Sequence, residues 1–322
     1  MSALVILRAG VGCTVQDAGR HGWLRYGVTP AGPMDWIAHA TANLICGNPT
    51  DVAAIEIGPG GLEVTAKGGP LRLGLSAQGF DVKRGGSALP TRLALTLHHG
   101  ETLSVLPGHD GLWAYLTLAG GIDAPPVMGS LATHLRSGIG PFGGQALTAG
   151  LEIEAAKDAV TDAPDIALID VPTIPSDRIR FVPGPQDDYF SSDTFASFCA
   201  ATYRVSPHSD RMGYRLTGPQ LKHARGHDIV SDGIALGAIQ IPGDGQPIVL
   251  MADRQPTGGY PKIGTVIHAD LPRLAQTRPG QTVRFEAVSV DVAVEALRGA
   301  IPTAQSWQSR LRRIRVHVGG TG

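Results

Sequence analysis

The chain has few cysteines and no excess of charge of either sign. Its three cysteines among 322 residues, Cys13, Cys46 and Cys199, form no CxxC pair, which argues against a disulfide framework and a structural zinc site. Lys and Arg total 27 and Asp and Glu total 28, so no basic field favours nucleic acid. The composition fits a reducing cytoplasm and a partner other than nucleic acid.

No segment has the pattern of a targeting signal or a membrane span. The first ten residues carry too short an apolar run and no positively charged start. Longer apolar stretches are interrupted, as Pro242, Asp244 and Pro247 interrupt the region 234–252. We therefore expect a cytoplasmic protein with no membrane partner.

The common nucleotide and metal motifs are missing too. There is no GxxxxGK[ST] loop, and the glycine-rich stretches at 58–61 and 140–144 lack the strand–turn–helix context of a dinucleotide site. The histidines form no HExxH, and the adjacent His98 and His99 would point to opposite faces of a strand. The sequence predicts no metal site, and any ATP would be held together with another chain.

Glycine and proline divide the chain into many short apolar runs. The 43 glycines and 24 prolines separate runs of strand length, which predicts a mainly β fold with a few short helices. The clearest helix has Asp35 as its N-cap and stops at Gly47 and Asn48.

Turn residues and charges concentrate between about 156 and 177, which favours a domain boundary there. We expect an N-terminal β half over residues 1–165 and a C-terminal β half over 166–290. Residues 291–322 are predicted to form a helix followed by a basic tail.

One polar constellation lies in the glycine-rich segment 14–35. Asp17 and Arg20 flank Gly19, and a guanidinium can clamp a carboxylate or carbonyl of a substrate while a carboxylate orients it. The same two residues would equally form a structural pair that ties a loop to the barrel.

A second constellation follows several apolar strands in the C-terminal half. A pocket entrance lined by amides, carboxylates, tyrosine and lysine is suited to recognise a small amide or ureido group and to transfer protons to or from it. Asp253 is the predicted general acid or base, Arg211 and Lys262 would stabilise negative charge, and Asp210 is a further catalytic candidate. The predicted substrate-binding groups are Gln240, Gln255 and Tyr260, together with Asp17 and Arg20. Pairing of Asp210 with Arg211 or Arg215 would instead make this a structural cluster.

Four motifs carry a resemblance to a known family: TVQDAGRHG at 14–22, YLTLAGGIDAPPVMGS at 115–130, SDRMGYRL at 209–216 and MADRQPTGGYPKIG at 251–264. The chain resembles the allophanate hydrolase subunit 2 family. That group holds subunits of ATP-dependent 5-oxoprolinase, KipA-type proteins and half of the carboxyltransferase domain of biotin-dependent urea carboxylase. The resemblance implies two cyclophilin-like β-barrel halves and a B-type, or subunit 1, partner protein.

For a free-standing member, the resemblance implies a role in 5-oxoprolinase. With A-type and B-type partners and ATP supplied through the complex, the chain would open 5-oxo-L-proline to L-glutamate, and it would be inactive alone. One alternative is a carboxyltransferase half that acts with carboxybiotin on urea or a similar amide, and only this alternative involves biotin. The other is a non-catalytic KipA-like antagonist of a kinase inhibitor.

Overall fold

Short strands joined by glycine and proline turns make up most of the chain in the computed structural model. The structure describes residues 2–156, 163–169, 178–302 and 310–314. The chain divides into two compact units. The first comprises residues 1–20, 35–173 and 302–322, and the second comprises residues 21–34 and 174–301.

Within its described residues, the first unit contains two sheets and one α-helix, α1 (Trp36–Cys46). One sheet has the strand order β11-β1-β4-β9-β6-β7, and the other contains the series β2-β3-β10-β5-β8-β12. The strands are β1 (Ala3–Ala9), β2 (Thr14–Gln16), β3 (Ala54–Ile57), β4 (Leu62–Lys67), β5 (Leu71–Ser76), β6 (Phe80–Arg84), β7 (Ser87–Ala88), β8 (Arg92–Leu97), β9 (Thr102–Pro107), β10 (Ala114–Leu118), β11 (Glu152–Glu154) and β12 (Ile166–Leu168).

The core of this unit lies between the two sheets and under α1. Alternate residues of β4 are buried, whereas every residue of β5 is buried because α1 covers its other face. The helix approaches closely at Gly74, where an added Cβ would lie 2.2 Å from the Ala42 carbonyl oxygen. As predicted, the side chain of Asp35 caps the helix by accepting from the Ala38 amide at 2.9 Å.

The second unit is built on a closed barrel with the strand order β13-β20-β17-β18-β15-β14-β21. Its strands are β13 (Arg178–Pro183), β14 (Tyr203–Val205), β15 (Gly213–Thr217), β16 (Asp232–Gly233), β17 (Ala238–Gln240), β18 (Ile248–Leu250), β19 (Thr257–Gly258), β20 (Lys262–Val266) and β21 (Thr282–Ala287). Strands β16 and β19 form a separate two-stranded ribbon. The helices are α2 (Ser192–Ala200), α3 (Leu271–Ala275) and α4 (Val290–Ala300).

An aromatic cluster fills part of the barrel core. Phe181, Phe198, Tyr203 and Phe285 are fully buried, and the rings of Phe198 and Phe285 stack with centroids 4.7 Å apart. The prediction of a mainly β fold with a few short helices is confirmed. No helix in the described ranges is long and apolar enough to cross a bilayer.

The tail after α4 differs from the prediction. Residues 311–313 form a strand, β22 (Leu311–Arg313), which pairs antiparallel with β12 and adds an edge strand to the second sheet of the first unit. In this strand Leu311 is half-buried and Arg312 and Arg313 are exposed, and an edge strand tolerates such charge. Residues 315–322 of the predicted tail lie outside the described residues. The predicted bounds 1–165, 166–290 and 291–322 stay predictions, although segment 21–34 groups with the second unit rather than with the N-terminal half.

Candidate functional site

A β-bulge in the barrel of the second unit brings Lys262 and Gln240 side by side. Strands β17 and β20 pair Ile239 with Gly264, and the register then shifts so that Gln240 pairs with Lys262. Without the shift, Gln240 would lie opposite Ile263. Bulges re-aim side chains and occur often beside functional sites. The shift makes Lys262 and Gln240 direct cross-strand partners, and both residues are buried, with Lys262 3% and Gln240 2% exposed.

The ammonium of Lys262 is held by a carboxylate from the ribbon β16–β19. Its Nζ lies 3.1 Å from Oδ2 of Asp232, which is itself half exposed. The Lys262 hydrogen bond, followed by that of the Gly233 amide, lowers the pKa of Asp232 below its ordinary value. Gln186 contacts both members of this ion pair. Its Oε1 accepts from the backbone amide of Lys262 at 3.2 Å, and its Nε2 lies 3.5 Å from Oδ2 of Asp232.

The amide nitrogen of Gln240 has no partner in the described part of the chain. Its Nε2 is fully buried and makes no hydrogen bond there. It lies against Gly258 of β19, where a Cβ would come within 2.6 Å of Nε2 and 2.5 Å of Ile234 Cδ1. A buried donor without an acceptor is costly, so such a group needs an explanation, and a ligand oxygen would supply the missing acceptor.

Arg211 and Asp253 form a buried, two-pronged ion pair. Arg211 Nε donates to Asp253 Oδ2 at 2.9 Å, and Nη2 donates to Oδ1 at 2.8 Å. The pair forms because the Asp253 amide also donates to the Arg211 carbonyl, which sets the two residues side by side. Arg211 Nη2 also donates to the Gly32 carbonyl at 2.8 Å and so anchors segment 21–34 of this unit. Both carboxylate oxygens therefore accept from Arg211, and the catalytic roles given to the two residues stay predictions.

The other residues of the second constellation do not join Lys262. Asp210 is exposed, and its Oδ1 accepts from the amides of Met212 and Gly213, so this carboxylate shapes a turn. Gln255 is half-buried and Tyr260 is 41% exposed, both in the loop regions between β18 and β20. The structural alternative, Asp210 paired with Arg211 or Arg215, is not the arrangement found, since Arg211 binds Asp253 instead.

Asp17 and Arg20 belong to the first unit, where both hold the segment 127–132. Asp17 accepts from the Ser130 hydroxyl and the Leu131 amide, each at 2.6 Å. Arg20 is almost fully buried and donates to the carbonyls of Val127, Ser130 and Ala132. Both side chains thus bond to segment 127–132, and Asp17 Oδ1 also accepts from the Gly19 amide at 2.9 Å, which fits the loop-tying alternative. Their role in binding a substrate stays a prediction.

The first unit also buries a histidine. His39 of α1 lies beside the Gln16 carbonyl, with Nε2 at 3.2 Å, and its ring meets that of Tyr115 edge-on at 5.6 Å. Burial lowers the pKa of His39 to about 4, an effect that the hydrogen bond to Gln16 only partly opposes.

Three residues of the second-unit site were missed by sequence reasoning. Asp232 and Gln186 lie in segments with the pattern of ordinary turns, and no local signal marks them as partners of Lys262. Arg254 stands inside the motif MADRQPTGGYPKIG but received no role, although its guanidinium is buried and donates from Nε to the Ile234 carbonyl at 3.1 Å.

The family model described as the carboxyltransferase domain, subdomain A and B, matches residues 26–287. The chain belongs to this carboxyltransferase domain family. Among its relatives, the C subunit of 5-oxoprolinase from Escherichia coli is 38% identical over 295 residues, which cover 91% of this chain and 94% of that protein. The corresponding C subunit from Haemophilus influenzae is 34% identical over 285 residues, or 88% of this chain and 91% of that protein.

Solved carboxyltransferase domains share the fold. The urea amidolyase of K. lactis superposes with a TM-score of 0.84 at 27% identity, covering 94% of this chain but 20% of that much longer protein. The resemblance drawn from the four motifs is therefore confirmed at the level of the family.

Proposed function

We propose that this carboxyltransferase-family chain is part of an ATP-dependent 5-oxoprolinase, which opens 5-oxo-L-proline to L-glutamate. The observation that carries the proposal is the buried Lys262 ammonium beside the unpaired amide nitrogen of Gln240. Two buried donors on directly paired strand residues suit the carbonyl oxygen of a small amide. The similarity to two proteins named as 5-oxoprolinase C subunits supports the choice of a lactam.

Opening of a lactam requires hydrogen-bond donors at the carbonyl oxygen. Opening a lactam consumes one water: its oxygen bonds to the carbonyl carbon, the ring C–N bond breaks, and the freed nitrogen takes up a proton from the water, while hydrolysis of ATP to ADP and phosphate drives the reaction. Negative charge develops on the carbonyl oxygen on the way. Donors fixed in a poorly solvated site stabilise that charge without having to reorganise. Lys262 would supply the charge and Gln240 the neutral hydrogen bond, while Asp232 keeps the ammonium in place.

The partners in this proposal are two further proteins, of the A type and the B type. The relatives are named as subunits, which supports an assembly of several chains. ATP would be bound through that complex, because the sequence contains no phosphate-binding loop of the GxxxxGK[ST] type. The isolated chain should therefore open no lactam.

One specific observation supports a second candidate function. The superposition on urea amidolyase fits a carboxyltransferase half that acts on a urea-like amide with carboxybiotin. The same pair, Lys262 and Gln240, would then hold the ureido oxygen. The non-catalytic, KipA-like alternative has no comparable support from the site.

The test is an assay of the assembled complex. The chain is co-purified with the proteins encoded beside its gene, and ATP-dependent release of glutamate from 5-oxo-L-proline is measured. Lys262→Met should leave assembly intact and lower kcat by about 10²- to 10³-fold, the usual effect of losing one donor to a developing oxyanion. The control is Lys67→Met, which removes an exposed lysine that also pairs with an acid, Glu152.

Two outcomes would contradict the proposal. In the first, the wild-type complex releases no glutamate but carboxylates urea when a biotin carrier is supplied, which would favour the second candidate. In the second, Lys262→Met keeps kcat within a factor of about three of wild type, far below the effect of a lost oxyanion donor.

A further inference from the structure

Arg254 is a buried arginine without an acid partner in the described part of the chain. The residue is 8% exposed, and within the described ranges its one hydrogen bond runs from Nε to the Ile234 carbonyl at 3.1 Å. Burial lowers the pKa of the guanidinium, and no neighbouring carboxylate in those ranges opposes this effect. Two other arginines of the barrel unit have such a partner: Arg180 binds Asp270 and Arg211 binds Asp253.

The terminal nitrogens of Arg254 keep some contact with solvent. They make no hydrogen bond to the residues that the structure describes, yet neither of them is fully buried. The fork of the guanidinium therefore makes no hydrogen bond to the described residues and is not completely sealed from solvent. A guanidinium fork matches the two oxygens of a carboxylate or phosphate.

Arg254 and Lys262 hold opposite ends of one short segment. Lys262 Nζ binds the side chain of Asp232, and Arg254 Nε binds the carbonyl of Ile234, two residues further on. Two residues of extended chain span about 7 Å. The side chain of Ile234 and the unpaired nitrogen of Gln240 both border Gly258. Ile234 thus connects Arg254, which binds its carbonyl, to Gln240, which lies beside the same glycine as its side chain.

The charges of this cluster do not balance. Of two buried cations, Lys262 pairs with the half-exposed carboxylate of Asp232, and Arg254 pairs with no carboxylate among the described residues. Isolated buried charge is costly unless something pairs with it. One negative charge on a ligand would complete the balance, and a neutral ligand would not.

We propose that Arg254 binds the carboxylate of a small anionic amide or lactam whose carbonyl oxygen meets Gln240 and Lys262. The inference rests on the proposed function and deepens it, because it names the feature that selects the substrate. The site then takes a carboxylate-bearing lactam and discriminates against neutral amides such as urea. Ile234 positions the guanidinium through its Nε, which leaves both terminal nitrogens for the two carboxylate oxygens.

The experiment compares two substrates that differ only in charge. The assembled complex is assayed with 5-oxo-L-proline and with its neutral carboxamide, 5-oxo-L-prolinamide. The wild-type complex should prefer the carboxylate by about 10- to 100-fold in kcat/KM, the range of a charge-assisted hydrogen-bonded pair. This comparison needs no variant, so a folding defect cannot obscure it.

Variants then assign the preference to Arg254. Arg254→Gln should remove the preference by lowering kcat/KM for the carboxylate while changing that for the carboxamide little. Arg254→Lys should keep part of the preference, since an ammonium keeps the charge and loses the fork. The control is Arg204→Gln, because Arg204 also donates to a backbone carbonyl, that of Gly280, but is exposed.

The outcomes separate this inference from the proposed function. If the complex opens both substrates equally, or if Arg254→Gln lowers both rates alike, the inference is overturned while the lactam-opening function stands. If the complex opens neither, calorimetry of the intact chain with the two compounds decides. Binding of 5-oxo-L-proline that depends on Arg254 would uphold the inference without the activity, and equal or no binding of both compounds would overturn it.

Discussion

The pair Arg211–Asp253 offers a direct way to separate a structural role from a catalytic one. Arg211→Met would leave the Asp253 carboxylate buried without its two donors and the Gly32 carbonyl without the one from Nη2. Removing one partner of a buried ion pair typically costs about 3–5 kcal/mol. Asp253→Asn should be costly for the same reason, since the guanidinium then stays buried beside a neutral amide.

The double variant tests the coupling. Arg211→Met with Asp253→Leu removes both charges, and replacing a whole buried pair by apolar groups is often close to neutral. The double variant should therefore be more stable than either Arg211→Met or Asp253→Leu alone, and its cost should fall short of the sum of those two single costs by at least about 3 kcal/mol, the coupling energy of the pair. If the two side chains interacted weakly, the stability cost of the double variant would instead equal the sum of the costs of the two single variants.

Amide hydrogen exchange in β15 and β18 is the suitable measurement, because it reports on the second unit alone in a chain with two units. The control is Arg225→Met, which breaks the exposed pair of Arg225 with Asp188 and should cost no more than about 1 kcal/mol. The structural reasoning is refuted if Arg211→Met costs as little as this control. Loss of activity in Asp253→Asn at unchanged stability would restore the predicted catalytic role.

Two further predictions concern glycine packing and histidine burial. Gly258→Ala should displace the side-chain ends of Gln240 and Ile234, which lowers the substrate affinity of the complex and barely changes its stability. The control Gly233→Ala, with open space around the added Cβ, should change neither the affinity nor the stability. Equal substrate affinities of the two variants would contradict the role of Gln240. His39 has a folded-state pKa of about 4 against an ordinary value of 6.5, so the unfolded state gains the proton first on acidification. Stability of the first unit should fall by about 2–3 kcal/mol between about pH 7 and about pH 4.5, and His39→Gln should remove most of that fall in acid-unfolding curves.

The sequence is most informative where local rules decide the structure. The apolar runs between turns predict a mainly β chain, and the Asp35 cap with Gly47 predicts α1, because capping and strand alternation depend on near neighbours. Lys262 and Gln240, both candidates from the sequence, are directly paired in the barrel. The grouping of segment 21–34 with the second unit could not be seen, since it rests on contacts such as Arg211 with Gly32, which are distant in sequence.

Charge partners are the hardest feature to predict. The residue types around Arg211 suggest a bound substrate or a pair with Asp210, but Asp253 reaches it because two strand ends lie side by side. Lys262 meets Asp232 only because a bulge turns it toward Gln240 and a separate ribbon supplies the acid. Both outcomes depend on strand register, which turns and side-chain burial set together and which residue types alone do not reveal.

The contrast between these two cations bears on where chemistry can occur. Arg211 has both oxygens of a buried carboxylate and a carbonyl as acceptors, so little of its fork is left for a ligand. Among the described residues, Lys262 has a single, half-exposed carboxylate, and Arg254 has a single carbonyl. A side chain whose donors all have acceptors is stabilised little by a substrate, whereas an incompletely paired buried cation is stabilised strongly. The ends of segment 232–234, rather than the pair Arg211–Asp253, are therefore where a negative charge would be stabilised most.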